Sequence, residues 1–145
     1  MGRTTPLLRP EDVVFLAHDD RRATAWEREQ IAKLRLRLFP VPEVAADPLA
    51  AAASALRALD AAHERVVVHF DADVVDFNDA PLSEHTGRNT GISLAAALEA
   101  LSVLLSDERV VALTVTEVNP NHAIADETAL PRLIEGLARA LAGNR

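Results

Sequence analysis

The chain has 145 residues, no cysteine and a formal net charge of −7, and 49% of its residues are hydrophobic although only 3% are aromatic. This length suits one domain over residues 1–145, with a core built from Ala, Val and Leu. The acidic balance argues against binding to nucleic acid or to an anionic membrane, and the lack of cysteine excludes disulfides and a thiol nucleophile. Without a signal-peptide pattern or a stretch of roughly 20 apolar residues, a cytoplasmic location is the default expectation.

Apolar strand patterns alternate with helical patterns along the chain, which predicts an α/β fold with about three parallel strands and helices on both faces of the sheet. Asp47 followed by proline is typical of a helix start, and Ser93 is predicted to cap another helix. The predicted strands are 13–17, one from Val66 and one from Val110. The predicted helices are one over about 21–38, one over 48–63, one from Leu94 and a last one that Gly143 ends. The residues expected to face inward are Trp26, Ile31, Leu34 and Leu38 in the first helix, Leu49, Ala52, Leu56 and Leu59 in the second, and Leu130, Leu133, Ile134, Leu137 and Leu141 in the last.

The apolar run from Val66 delivers two carboxylates, Asp71 and Asp73, at its end. Alternate side chains of a strand share a face, so these two are expected to project together with Cα atoms about 7 Å apart. Like charges this close repel, and a hard divalent cation such as Mg, Mn or Ca relieves the repulsion. The alternative is an acidic pair that is solvated or that caps the next helix.

The next predicted strand also ends in a carboxylate, Glu117. Ligands of open α/β sheets bind at the carboxyl ends of strands, so Asp71, Asp73 and Glu117 converge if their strands are neighbours. Taken alone, Glu117 is also consistent with an ordinary acidic residue in a loop. The polar loop over 83–93 contains two glycines, which allow tight turns and a close approach to a ligand.

This order of parts resembles the C-terminal half of the ureohydrolase family, which includes arginase, agmatinase and formiminoglutamase. The family pattern is S-F-D-x-D-x-x-D-P, then T-G-T-P-x-x-G-G-L, then E-x-N-P. Here the chain has H-F-D-A-D-V-V-D-F from His69, then Thr86-Gly87 through Gly91-Ile92-Ser93, then E-V-N-P from Glu117. The resemblance runs from about Arg9 to the C-terminus and implies half of the three-layer arginase-like fold.

The resemblance also implies roles for these residues. Asp71 and Asp73 would hold two Mn²⁺ ions, with Asp71 bridging both, and Asp76 would be structural. The implied reaction is hydrolysis of a linear C–N bond in a guanidino or formimino compound by a hydroxide formed from metal-bound water. Glu117 would hold a nitrogen of this small cationic substrate. Further candidates for contacting the substrate are Thr86, His85 and His122.

Two ligand segments of the family, G-G-D-H and D-A-H-x-D, are absent from the sequence, and His18-Asp19-Asp20 does not match either of them. Other departures are Phe77 for the usual proline and Arg88-Asn89-Thr90 in the glycine loop. The chain therefore predicts half an active site with an apolar sheet edge exposed. It would be a fragment of a longer enzyme, or it would form a homo-oligomer or pair with a partner that carries the missing half-site.

Three other readings are weighed against this hydrolase. In a phosphatase of the haloacid dehalogenase kind, Asp71 would be the nucleophile and Asp73 the acid with Mg²⁺, but the only lysine, Lys33, lies upstream. An EF-hand-like calcium loop that begins at Asp71 is excluded, because Val75 and Asp76 occupy the positions where such a loop needs an oxygen ligand and a glycine. An inactive subunit that kept the fold for a structural role remains an alternative.

The other histidines have separate predictions. His69 is either a group behind the metal or a buried core residue, and His18 and His63 are predicted at the surface or at strand ends.

Overall fold

The structure is a computed structural model, and it describes residues 7–59 and 63–143. Four strands and five α-helices make up the regular structure of this part of the chain. In chain order they are β1 (Val14–His18), α1 (Ala25–Leu34), β2 (Arg37–Pro40), α2 (Val41–Ala46), α3 (Pro48–Ala58), β3 (Val66–Asp71), α4 (Leu94–Leu105), β4 (Val110–Thr116) and α5 (Ala129–Ala142), with short 3₁₀ helices at Pro10–Asp12, Ala72–Val74 and Pro120–Ala125.

The strands form two separate parallel pairs, β1 with β2 and β3 with β4. Strand β2 was not predicted, because the apolar spacing favoured a helix that continues to Leu38. In the structure α1 ends at Leu34, since Arg35 adopts a left-handed conformation with φ 52°. The backbone after Arg35 is extended, and Leu38 pairs with Phe15 of β1. The expected three strands are therefore four.

The predicted starts of α3 and α4 are confirmed by their caps. Asp47 Oδ1 accepts a hydrogen bond from the Ala50 amide at 2.9 Å, and Ser93 Oγ accepts one from the Ala96 amide at 3.1 Å. Each cap satisfies an amide that has no partner within its helix and stabilises the helix by about 1 kcal/mol. The end of α3 was predicted too late, because the backbone is already extended at Leu59.

The core lies where α3 packs against α4 and α4 against α5, with Val68 and Phe70 of β3 buried beside them. Leu94 and Leu105 of α4 are among the most deeply buried side chains. Burial of each such side chain stabilises the fold by about 1.5–3 kcal/mol. The helices approach closely because small residues face the contact. A Cβ on Gly136, for instance, would overlap the side chain of Leu98.

Several side chains predicted to face inward are instead exposed. The exposed fraction is 67% for Trp26 and 42% for Leu34, and Leu49, Ile134 and Leu141 are about half exposed. Helix α1 buries none of its residues. Helices α3 and α5 bury mainly small residues, and some of their large apolar residues point outward, whereas Leu133 is buried and Leu130 and Leu137 pack partly buried against the core, as predicted. Helical spacing located these helices but identified their buried faces only in part.

The side of β3 opposite the core is open. Val67 and His69 alternate with the buried Val68 and Phe70, and Val67 is 61% exposed. This exposure is on a face of the strand, whereas the sequence predicted an exposed apolar edge of the sheet. Within the described ranges, no helix is long and apolar enough to cross a membrane.

Candidate functional site

The two acidic residues after the Val66 run lie at the end of β3. Asp71 is the last residue of the strand, and the chain then enters the 3₁₀ turn Ala72–Val74. Asp73 therefore does not lie on the strand, and the strand-alternation argument that placed both side chains on one face is wrong. Asp73 is buried, whereas Asp71 is only partly buried.

Asp71 carries an unusual atom. Its Oδ1 is buried and has no hydrogen-bond partner among the residues that the structure describes. Buried polar atoms in folded proteins nearly always have a partner, and an orphaned carboxylate oxygen is costly. A bound cation or a donor from outside these residues would satisfy it.

Asp73 is held differently. Arg88 Nε lies 3.1 Å from Asp73 Oδ2 and pairs with it. Burial raises the pKa of the Asp73 carboxyl above its ordinary value, the Arg88 guanidinium acts in the opposite direction, and the negative charge of Asp71 adds to the rise. The cost of burying this carboxylate is thus offset in part by a cation that the chain itself supplies.

The glycine loop is tied to the turn that carries Asp73. The amide of Ile92 donates to the Val74 carbonyl at 3.0 Å, and the Phe77 amide donates to the Arg88 carbonyl at 2.8 Å. A Cβ on Gly91 would overlap the Val74 carbonyl oxygen and lie 2.7 Å from the amide nitrogen of Asp76. Glycine is therefore required at this position for the loop to approach the backbone.

The carboxyl end of β1 meets the same loop. The Thr90 hydroxyl donates to Asp19 Oδ2, and Arg21 pairs with Asp19 Oδ1 at 3.0 Å. Burial alone would raise the pKa of Asp19, but hydrogen bonds from Thr90 and Arg21 outweigh it and hold that pKa below its ordinary value. One small crevice is lined by Ala17, Asp19, Val41, Asp73, Val74, Arg88, Thr90 and Gly91.

His18, the last residue of β1, carries the second orphaned atom. Its Nε2 is buried without a partner in the described part of the chain. The preceding Ala17 has φ 55°, a left-handed conformation that is unfavourable for alanine. The predicted place of His18 at a strand end is confirmed, but its orphaned nitrogen was not foreseen.

Glu117 follows β4 directly. In the β3–β4 register Asp71 pairs with Thr116, so Glu117 lies one residue beyond the neighbour of Asp71. The two strands are thus adjacent, as the convergence of their carboxyl ends required. Glu117 is exposed and has φ 58°, and its carbonyl accepts a hydrogen bond from the Glu84 amide at 2.9 Å. Such a backbone costs about 1–3 kcal/mol and is often found at functional sites.

The remaining residues predicted to contact the substrate differ in their exposure. His85 and Thr86 are exposed in the glycine loop. His122 is partly buried, and its Nδ1 lies 2.8 Å from the Ser83 carbonyl, so Nδ1 carries the proton that is donated. The ring of Phe77, which replaces the usual proline, meets the His122 ring edge-on at 5.8 Å. His122 therefore packs the loop against the chain, whereas His85 and Thr86 are accessible.

The structure also places the other residues that the sequence singled out. Asp76 Oδ1 accepts the Asn78 amide at 2.8 Å, which stabilises a turn and agrees with a structural role. His69 is exposed on the open face of β3 and its Nδ1 contacts Thr114 Oγ1 at 2.7 Å, so the buried-core alternative for His69 is wrong.

The donors assembled here form an incomplete metal site. Asp71 Oδ1 suits a hard cation, but Asp73 is engaged by Arg88. Nowhere in residues 7–59 and 63–143 do three His, Cys, Asp or Glu side chains come together so that they could hold a metal ion. The described residues therefore do not by themselves fit a pair of manganese ions, and at least one further donor is needed.

These features define a class of protein: an α/β fold whose acidic residues lie at the carboxyl ends of adjacent parallel strands, with a glycine loop beside them. The model of the Arginase family matches residues 3–138, and the chain belongs to this family. The ureohydrolase resemblance and the α/β fold class are thereby confirmed.

Solved structures agree on the fold. The Helicobacter pylori arginase structure has a TM-score of 0.81 and 22% identity over 94% of this chain and 45% of that chain. The Bacillus subtilis arginase has a TM-score of 0.80 and 24% identity over 98% of this chain and 48% of that one. A Trypanosoma cruzi formiminoglutamase with Mn²⁺ has a TM-score of 0.79 and 17% identity over 94% and 44%. This chain thus spans less than half the length of these structures. No curated protein matches the sequence.

Three features of the site were missed by sequence reasoning. They are the Arg88–Asp73 pair, the bond between Thr90 and Asp19, and the orphaned His18 nitrogen. The departure from the family loop at Arg88-Asn89-Thr90 was the available signal, because both new side-chain contacts of the loop come from these residues.

Proposed function

We propose that this chain supplies the carboxyl-terminal half of a manganese-dependent ureohydrolase site that cleaves a linear C–N bond in a guanidino or formimino compound. The observation that carries the proposal is the buried, unpartnered Oδ1 of Asp71 at the end of β3 in a member of the Arginase family. A carboxylate oxygen in this state suits a hard cation, and manganese is the ion in the T. cruzi formiminoglutamase structure.

Each residue has a distinct part in the proposed site. Asp71 and Asp73 would hold the metal, which would lower the pKa of a bound water and provide the hydroxide. Glu117 lies beside Asp71 on the neighbouring strand and would receive the cationic nitrogen of the substrate through a charge-assisted hydrogen bond. The exposed Thr86 and His85 would contact the substrate. His122 would support the loop through its bond to Ser83.

The remaining metal donors would come from outside the described residues. They would be contributed by a second copy of the chain or by a polypeptide that carries the missing half-site. The solved relatives, more than half of whose length lies beyond the match, support this need.

Metal retention tests the proposal directly. The purified chain would be loaded with Mn²⁺, desalted and analysed for bound metal, alone and after addition of the missing half from a relative. Once the missing half is added, we expect metal in a constant ratio to protein, lost in Asp71→Asn and kept in Glu29→Gln, which alters an exposed acid on α1. Equal retention by wild type and Asp71→Asn would refute the role of Asp71.

An inactive family member is the second candidate, because Arg88 already neutralises Asp73 and the described donors are too few. Assays on arginine, agmatine and formiminoglutamate with manganese separate the two. Turnover that Asp71→Asn abolishes supports the hydrolase. Absence of turnover in a preparation that retains metal supports the inactive subunit.

A further inference from the structure

The two acids that line the small crevice at the carboxyl ends of β1 and β3 both have partners in the glycine loop. Asp73 Oδ2 pairs with Arg88 Nε at 3.1 Å, and Asp19 accepts a hydrogen bond from the Thr90 hydroxyl. Asp19 also pairs with Arg21 at 3.0 Å. Two guanidinium groups thus pair with the two carboxylates, and the chain itself balances the negative charge of the crevice.

The path of the loop holds Arg88 in this position. The Arg88 carbonyl accepts a hydrogen bond from the Phe77 amide at 2.8 Å. Three residues later, Gly91 lies so close to the turn after β3 that a Cβ would overlap the Val74 carbonyl oxygen. The side chain of Asp73 is only 11% exposed, so water screens its pair with Arg88 weakly. The pair is therefore built into the loop and is not an incidental contact of a surface arginine.

Asp71 is the carboxylate that the loop leaves without a partner. Its Oδ1 is buried and has no hydrogen-bond partner within residues 7–59 and 63–143. A divalent ion at Asp71 would satisfy this oxygen. A second ion would need the charge of Asp73, the next acid along the chain, and would meet the guanidinium of Arg88 there. Because like charges in a poorly solvated site repel strongly, Arg88 and a second ion exclude each other.

We propose that Arg88 is a permanent cationic member of this site, which takes the place of a second metal ion and limits the site to no more than one divalent cation. Arginine side chains stay protonated in proteins, so this charge, unlike that of a bound ion, does not dissociate. The limit on the number of ions rests on the proposed function, because it concerns the metal of that site. The pairing of Arg88 with Asp73 does not rest on it and is tested separately.

The number of bound ions tests the limit. The chain, with and without the added missing half, would be dialysed against excess Mn²⁺. Bound manganese would be counted by elemental analysis, and electron paramagnetic resonance would distinguish a single ion from a coupled pair. We expect no more than one ion per chain in the wild type and one additional ion in Arg88→Gln. Arg88→Lys keeps the positive charge and should give the wild-type count.

Arg132→Gln is the matched control for these variants. Arg132 pairs with Asp126 at the same distance of 3.1 Å, and its side chain is 44% exposed, compared with 37% for Arg88. Its substitution should leave the number of bound ions unchanged. Two ions in the wild-type chain would overturn the proposal. So would a protein that binds manganese but gains no ion in Arg88→Gln.

Thermal melting in the absence of metal tests the ion pair itself. Arg88→Gln should lower the melting temperature, because it leaves the buried Asp73 without its counter-charge. Adding Asp73→Asn to Arg88→Gln should restore part of this loss, whereas adding Asp126→Asn should not. If no variant binds manganese, the proposed function fails and the melts alone decide on Arg88. A double variant with Asp73→Asn that is no more stable than Arg88→Gln would then overturn the proposal.

Discussion

Arg88 Nε lies 3.1 Å from Asp73 Oδ2, so one of the two carboxylates expected to bind manganese is already paired with a cation from the chain's own glycine loop. The pair forms because Asp73 is buried and needs a counter-charge when it is ionised. A metal ion approaching Asp73 must therefore displace the guanidinium or share the carboxylate with it.

Arg88→Gln should strengthen manganese binding, because it removes the cation that competes for Asp73. Titration calorimetry with Mn²⁺ would show an apparent Kd several-fold lower than that of the wild-type chain, a gain on the order of 1 kcal/mol. Arg139→Gln is the matched control, since the Arg139 side chain is 77% exposed and far less engaged. Weaker binding by Arg88→Gln than by wild type would mean that Arg88 positions Asp73 for the metal.

The pH dependence of stability should have two components of opposite sign. The pKa of Asp73 is raised above 3.8 by burial, so the folded chain binds this proton more tightly than the unfolded chain. Its contribution to stability is complete below about pH 3.8 and is lost as the pH rises through the raised pKa. The pKa of Asp12 is held well below its usual range by hydrogen bonds from the Arg9 side chain and backbone and from His63. Its contribution is present above about pH 3.8 and is lost as the pH falls.

Urea unfolding between about pH 2 and pH 7 separates these components. Asp73→Asn should remove the loss of stability that occurs as the pH rises through the raised pKa of Asp73. Asp12→Asn should remove part of the loss of stability that occurs as the pH falls into the acid range. If both variants altered only the acid side, the raised pKa of Asp73 would be contradicted.

Gly91→Ala should destabilise the chain strongly, because the added Cβ would overlap the Val74 carbonyl and crowd the amide of Asp76. Overpacking against backbone typically costs about 1–3 kcal/mol or more. Gly87→Ala is the control, since a Cβ there meets nothing closer than Arg22 at 4.0 Å. Thermal melts of both variants would test this, and equal destabilisation would show that the loop does not approach the turn as described.

Trp26 is the only tryptophan and is 67% exposed, so its fluorescence should be red-shifted and readily quenched by acrylamide. Trp26→Ala should change the free energy of unfolding by less than about 0.5 kcal/mol. Phe70→Ala, at a position only 5% exposed, should cost about 3–5 kcal/mol. A blue-shifted, protected tryptophan would instead place α1 against the rest of the protein.

The sequence by itself determined the local features of this protein. The caps at Asp47 and Ser93 and the carboxylates at the end of β3 depend on side-chain chemistry and short-range spacing, which can be read without coordinates. The family resemblance came from the same short motifs. The alternation of strand and helix patterns predicted parallel strands, and Asp71 and Glu117 were expected to converge if their strands were neighbours, which the structure shows them to be.

Only the tertiary structure decided which residues meet across long stretches of chain. The bond between Thr90 and Asp19 joins residues 71 positions apart, and Arg88 reaches Asp73 from a loop whose path is set by Gly91. Local spacing also misassigned Trp26 and Leu38, because burial depends on which neighbour covers a face and not on periodicity alone. The division of the four strands into two separate parallel pairs depends likewise on how distant strands are arranged, so it became visible only in the folded chain.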